Sequence, residues 1–125
     1  MRTARHDVQV DLNRHTPPGQ LHQLKQISQA ELRRNGLYAF TAINAPRGLK
    51  ERIFHVWLHE GREVDRIALH INGGREAGYR AWTRKQRFPA DAVGRWQVKV
   101  VTDTGQMIGT LRFRVEGDQE PAAAP

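Results

Sequence analysis

The stretch RIFHVWLHEGREVDRIALHIN, residues 52–72, decides the fold. It folds back on itself about Gly61-Arg62, because a two-residue loop with glycine first is a recognised hairpin closure. That closure sets Leu58 beside Asp65, Val56 beside Ile67, Phe54 beside Leu69 and Arg52 beside Ile71, and one face becomes almost wholly apolar. The other face carries His55 beside Ala68, Trp57 beside Arg66, His59 beside Val64 and Ile53 beside His70. A slip of one residue would break the apolar face, so the pattern argues for its own alignment.

Downstream, residues 95–103 fold onto 106–115 about Thr104-Gly105, pairing Trp96 with Phe113, Val98 with Leu111 and Val100 with Gly109 as an interior face. The opposite face sets Arg95 against Arg114, Gln97 against Arg112, Lys99 against Thr110 and Val101 against Ile108. Between the two hairpins lies GGREAGYRAWTRK, residues 73–85, where Gly73-Gly74 permits a tight turn and Tyr79 to Thr83 reads as a strand. There Tyr79, Ala81 and Thr83 oppose Arg80, Trp82 and Arg84. Upstream, residues 5–12 alternate as a half-buried strand, and Leu37 to Asn44 is apolar on both faces, as in a central strand. A short helix is expected near residues 28–34, opened by Ser28 with Glu31 as a capping box and stopped by Asn35-Gly36.

Six or seven short strands with at most one short helix predict an all-β, immunoglobulin-like antiparallel β-sandwich, with a small open barrel as the alternative. Residues 36–116 form its core, and residues 1–35 contribute an N-terminal strand and a short helical or loop segment packed on it. Residues 117–125, GDQEPAAAP, have nothing to bury and read as a disordered tail. A chain of 125 residues holds one such domain.

The stretches LYAFTAINAPRGLKERIFHVW (residues 37–57), GGREAGYRAWTRK (73–85) and GRWQVKVVTDTGQMIGTLRFRV (94–115) together resemble a bacterial family of unknown function. Members commonly form the soluble C-terminal domain of multi-pass inner-membrane proteins. The resemblance covers residues 36–115 and implies a β-sandwich module in a membrane-protein context. It transfers no catalytic residue, because the family carries no assigned activity. It also implies inner-membrane association on a side that the residues leave open, for a free-standing version or an excised domain. The chain complete as given would otherwise be cytoplasmic. No window approaches the roughly 20 apolar residues that span a bilayer, and residues 1–20 lack the apolar block of a signal peptide.

The net charge of +7 at pH 7 points to an anionic partner. The charge concentrates in residues 75–87, where Arg75, Arg80, Arg84, Lys85 and Arg87 face Glu76 alone. Arg75, Tyr79, Arg80, Trp82 and Lys85 are therefore the first candidate site: guanidinium forks pair with phosphate or carboxylate, and rings stack on sugars or bases. The plainer reading is that Trp82 plugs the sandwich, since a Trp on a strand is more often core than platform. His55, Trp57 and Arg66 form a second candidate on the outer face of the first hairpin, with Trp57 and Arg66 in cation–π contact and a subunit, a ligand or the N-terminal segment as cover. The basic face of the last hairpin places like charges opposite each other, which a solvated face or an anionic surface would relieve.

No metal, cofactor or catalytic residue is expected. There is no cysteine, His55 and His59 lie about 13 Å apart along one strand, and the only serine is Ser28 in the capping turn. The chain reads as a non-catalytic accessory or interaction module of the bacterial envelope, contacting a membrane protein or an anionic surface such as lipid headgroups or acidic glycan. Carbohydrate or peptidoglycan binding is the alternative. Nucleic acid ranks last because no reading motif is present, and homo-oligomerisation remains a further way of covering the outer face.

Overall fold

The computed structural model describes residues 7–13, 25–45, 48–74 and 78–118. Through them run nine strands and one helix: β1 (Asp7–Asn13), β2 (Gln26–Ser28), α1 (Gln29–Asn35), β3 (Leu37–Asn44), β4 (Ile53–His59), β5 (Arg62–Ala68), β6 (Asn72–Gly74), β7 (Gly78–Lys85), β8 (Gly94–Thr102) and β9 (Met107–Glu116). Two sheets pack face to face, in the orders β1-β3-β7-β6 and β2-β9-β8-β4-β5. This is the immunoglobulin arrangement, with β5 in the place of the strand that variable-type domains add beyond the third. All pairs are antiparallel except β2 with β9. The two strands beyond the expected seven, β2 and β6, have three residues each, too few to show a period-2 pattern.

The β8–β9 hairpin has the expected register from Arg95↔Arg114 to Val100↔Gly109; a bulge then sets Val101 opposite Met107. Helix α1 also follows its signals. The Ser28 side chain accepts a hydrogen bond from the Glu31 amide, and the chain leaves the helix at Gly36, whose amide donates to the Leu32 carbonyl. At Gly109 an added Cβ would lie 2.8 Å from a Val8 methyl carbon, so glycine lets β9 come close to β1.

The β4–β5 hairpin differs from expectation by its turn. Glu60 and Gly61 both take positive φ (50° and 82°), which closes the ribbon one position earlier than Gly61-Arg62 would. His59 then pairs with Arg62, a bulge follows, and Trp57 meets Asp65 while His55 meets Ile67. The Glu60 carboxylate accepts the Arg95 amide at 2.7 Å, and the Glu60 amide donates to the Arg95 carbonyl, which fastens the tip to β8. That amide hydrogen bond, followed by the Arg95 charge, holds the Glu60 carboxyl below its usual pKa against the opposing effect of desolvation.

The faces of β4 are consequently inverted relative to the sequence expectation. Ile53, His55 and Trp57 point into the sandwich, whereas Phe54, Val56 and Leu58 point outward. Strand β4 is apolar on both sides, so its alternation could not choose a face. Its tip and its pairing with β8 choose instead, placing Trp57 beside Val98 and His55 beside Val100.

Two apolar clusters fill the interior. One gathers Leu12, Leu37, Trp57, Trp96 and Phe113, with Phe88 at its rim; the other gathers Val10, Ile43, Ile53 and Val100. Trp96 stacks on Phe113 at 5.9 Å and donates its indole N–H to the Ala92 carbonyl. Trp57 lies edge-on to Phe88 and Phe113, and its indole N–H has no hydrogen-bond partner among the described residues. Between the clusters sits a polar waist. His55, fully buried, holds Thr41 of β3 through Nε2 at 2.5 Å and Thr83 of β7 through Nδ1 at 2.6 Å. A neutral imidazole has one donor and one acceptor, and a hydroxyl can serve either. Both ring nitrogens are therefore satisfied without a charge.

Burial lowers the His55 pKa from 6.5 to about 3. Between about pH 6.5 and about pH 3 the unfolded chain carries a proton on His55 and the folded chain does not, so the unfolded state binds more protons throughout that window. Stability is complete above it and falls as the pH drops, by roughly 1 kcal/mol per pH unit for one proton. Urea unfolding across this range is expected to show that slope in the native chain and a slope smaller by one proton in His55→Leu. Equal slopes in the two proteins would rule out the neutral, buried imidazole.

Candidate binding face

Because Thr41 and Thr83 point inward, their neighbours on β3 and β7 point outward. The outer face of the four-stranded sheet thus carries Tyr38 and Phe40 from β3 and Arg80, Trp82 and Arg84 from β7. Register sets Phe40 opposite Trp82, Tyr38 opposite Arg84 and Ala42 opposite Arg80. Tyr38 lies at the centre of the ring contacts, edge-on to Trp82 at 5.6 Å and stacked with Phe40 at 6.3 Å. Arg84 covers Tyr38 at 5.2 Å and donates to the Asn35 carbonyl at 2.9 Å, which fixes its guanidinium. Arg80 is exposed and has no hydrogen bond or ion pair among the described residues.

Trp82 is 50% exposed, so it does not plug the sandwich. Trp57 and Trp96 do that, and with the interior already filled the outward parity of Trp82 leaves its ring on the surface. An indole held at half exposure between two arginines on a sheet face can stack on a flat or apolar group while the guanidinium groups pair with carboxylate, phosphate or carbonyl oxygens.

The residues singled out in the sequence do not all meet here. Arg80 and Trp82 share this face. Tyr79 turns inward toward the second apolar cluster, with its hydroxyl accepting the Leu49 amide at 3.2 Å. Lys85 also turns inward; it is 5% exposed, bonds Asp65 of β5 at 2.9 Å and lies 5.1 Å from the Phe88 ring centre. Strand alternation separates 79 and 85 from 80 and 82, so the first candidate group is split between core and surface. Arg75 lies outside the described residues.

The second group is also divided. His55 and Trp57 are fully buried, which removes the expected contact between Trp57 and Arg66. Arg66 instead lies over the Phe54 ring at 5.8 Å and pairs with Glu63 at 3.0 Å. Tyr38, Phe40 and the anchoring role of Arg84 escaped sequence reasoning. Their signal was the alternation of rings in β3, which became informative once Trp82 was known to pair with Phe40.

The clefts among the described residues include two with polar linings. One of 530 Å³ lies beside the start of α1 and the end of β9, and there the Asp118 carboxylate already accepts the Ala30 amide. The other, 260 Å³, opens on the outer face of the five-stranded sheet between Leu58, Arg95 and Arg112. Among the described residues no three His, Asp or Glu side chains gather to hold a metal ion, and no helix is long and apolar enough to cross a membrane.

The molecule is therefore an immunoglobulin-like β-sandwich domain with an aromatic and guanidinium outer face. Residues 50–115 match the model of the DUF2914 family, described as a protein of unknown function, and because the match covers just over half of the chain, the chain belongs to that family. The matched segment begins just before β4 and ends in β9, so it includes Arg80, Trp82 and Arg84 and leaves out Tyr38 and Phe40. No curated protein matches the chain.

The two tryptophans on opposite sides of the sandwich wall should respond differently to truncation. Trp57→Ala is expected to cost about 3–5 kcal/mol of unfolding free energy, and Trp82→Ala about 1 kcal/mol or less. Chemical denaturation measures both, and a larger loss at Trp82 than at Trp57 would reverse the assignment of the faces.

Proposed function

We propose that this chain is a non-catalytic interaction module of the bacterial envelope that docks on a membrane-protein partner through the outer face of the four-stranded sheet. The observation that carries the reading is Trp82, half exposed beside Tyr38 and flanked along its strand by Arg80 and Arg84. Trp, Tyr and Arg are the side chains that dominate binding energy at protein interfaces. Tyr38 and Arg84 are already held by ring contact and a backbone hydrogen bond, so little rotamer freedom remains to be lost on docking. The described side chains of this face are rings and guanidinium groups, which supports a binding role. The envelope and inner-membrane context is supported by the resemblance described above.

A second reading, carbohydrate or peptidoglycan binding, is favoured by the same exposed indole, because a sugar ring stacks on such a platform while neighbouring arginines pair with its oxygens. A photo-crosslinking residue at position 82 or 80, expressed in the native host, distinguishes the two. The first reading expects one membrane protein crosslinked from both positions and not from Thr104 at the β8–β9 turn. The second expects selective glycan-array binding that falls at least about tenfold in Trp82→Ala, the loss of one stacking contact. Absence of both signals would remove this face as a docking surface.

A further inference from the structure

The outer face of the five-stranded sheet is a second surface, distinct from the aromatic face and independent of the function proposed for it. Its composition follows from register. Phe54, Val101 and Met107 lie side by side across β4, β8 and β9, and Met107 is 51% exposed. In the next row on this face Arg66 and Lys99 flank Val56, the row after sets Arg112 opposite Gln97, and beyond it Arg95 stands directly opposite Arg114. Arg52 and Arg66 lie over the Phe54 ring at 5.7 and 5.8 Å.

Charge on this face is only partly compensated. Glu63 pairs with Arg66 and Glu60 with Arg95. Arg52, Lys99, Arg112 and Arg114 have no ion pair among the described residues, and the remaining carboxylates, Asp103 and Glu116, stand at the ends of β8 and β9. Cations that face each other across a ladder repel unless an anion lies between them. The 260 Å³ cleft beside Arg95 and Arg112, with Glu60 and Gln97 also in its lining, opens at that end.

We propose that this face docks on an anionic phospholipid surface, with Lys99, Arg112 and Arg114 against the phosphates and Met107 and Phe54 at the acyl boundary. The apolar row decides the occupant. A nucleic acid or acidic polysaccharide would satisfy the cations and leave Met107 against a hydrated polymer, whereas the headgroup layer presents phosphate and hydrocarbon within one contact. A second copy of this chain would bring like charges together.

Co-sedimentation of the purified chain with phosphatidylcholine vesicles, with and without phosphatidylglycerol, tests the assignment. Binding is expected only with the anionic lipid and should weaken as salt is raised. Lys99→Glu with Arg112→Glu should reduce it by about tenfold or more, while Arg80→Glu with Arg87→Glu, an equal charge change on the opposite sheet and in the β7–β8 connection, should have a much smaller effect. Met107→Asp should lower the part of the binding that survives high salt. No binding to phosphatidylglycerol vesicles, or binding insensitive to the Lys99 and Arg112 changes in variants whose circular dichroism is native, overturns the proposal. Binding of duplex DNA or heparin as tight as that of vesicles, with no effect of Met107→Asp, overturns it too and marks a general polyanion surface.

Discussion

A single neutral imidazole ties the two sheets together through the middle of the sandwich. His55 belongs to the five-stranded sheet, and the hydroxyls it binds belong to the central strands of the other. Immunoglobulin domains commonly cross this space with a disulfide; this chain has no cysteine. A hydrogen bond is worth only about 1 kcal/mol net, but a buried polar atom stripped of its partner costs about 1–3 kcal/mol. The asymmetry means that the waist adds modest stability while strongly disfavouring any packing that separates its three members. It specifies alignment more than it adds strength.

That alignment fixes what each strand presents to the outside. With Thr41 inward, β3 must show Phe40 and Tyr38; with Thr83 inward, β7 must show Trp82 and Arg84. With His55 inward, β4 must show Phe54 and Val56, and the stems of Arg66 and Lys99 flank Val56, which is why an outward-facing valine is buried. The chemistry of both outer faces is thus a consequence of which residues reach the waist. The ion pair of Lys85 with Asp65 joins the same two sheets near Phe88, and it removes from the surface one of the cations that gave residues 75–87 their basic appearance.

This arrangement explains what could be read from residue order alone. The β8–β9 register was legible because only one of its faces is apolar, so a slip would have carried Trp96, Val98 and Phe113 to the surface together. The helix was legible because Ser28 and Gly36 act locally. Strand β4 was not, because Ile53 to His59 offers a hydrophobic set on either parity and the choice lies with long-range partners: the hydroxyls for His55, the Val98 neighbour for Trp57 and the Arg95 amide for Glu60. The candidate site inherited that ambiguity. Basic residues cluster along the chain at 75–87, yet alternate positions of a strand belong to opposite environments, so Lys85 and Trp82, close in sequence, lie on different sides of a wall.

The two outer faces also differ in the physics by which they could hold anything. On the four-stranded side the half-exposed Trp82 lies among Tyr38 and Phe40, and Arg84 is already committed to Asn35 and to the Tyr38 ring, so contact with the indole would draw on stacking and apolar burial, which salt screens little. On the five-stranded side Lys99, Arg112 and Arg114, without an ion pair among the described residues, surround a narrow apolar row, so contact would draw chiefly on charge, which a Debye length of about 8 Å attenuates at physiological ionic strength. Because a common interior sets the parity of both, a change at the waist that rotated β4 or β7 would alter the two surfaces at once, whereas a change at Met107 or Trp82 would alter one and leave the other as it was.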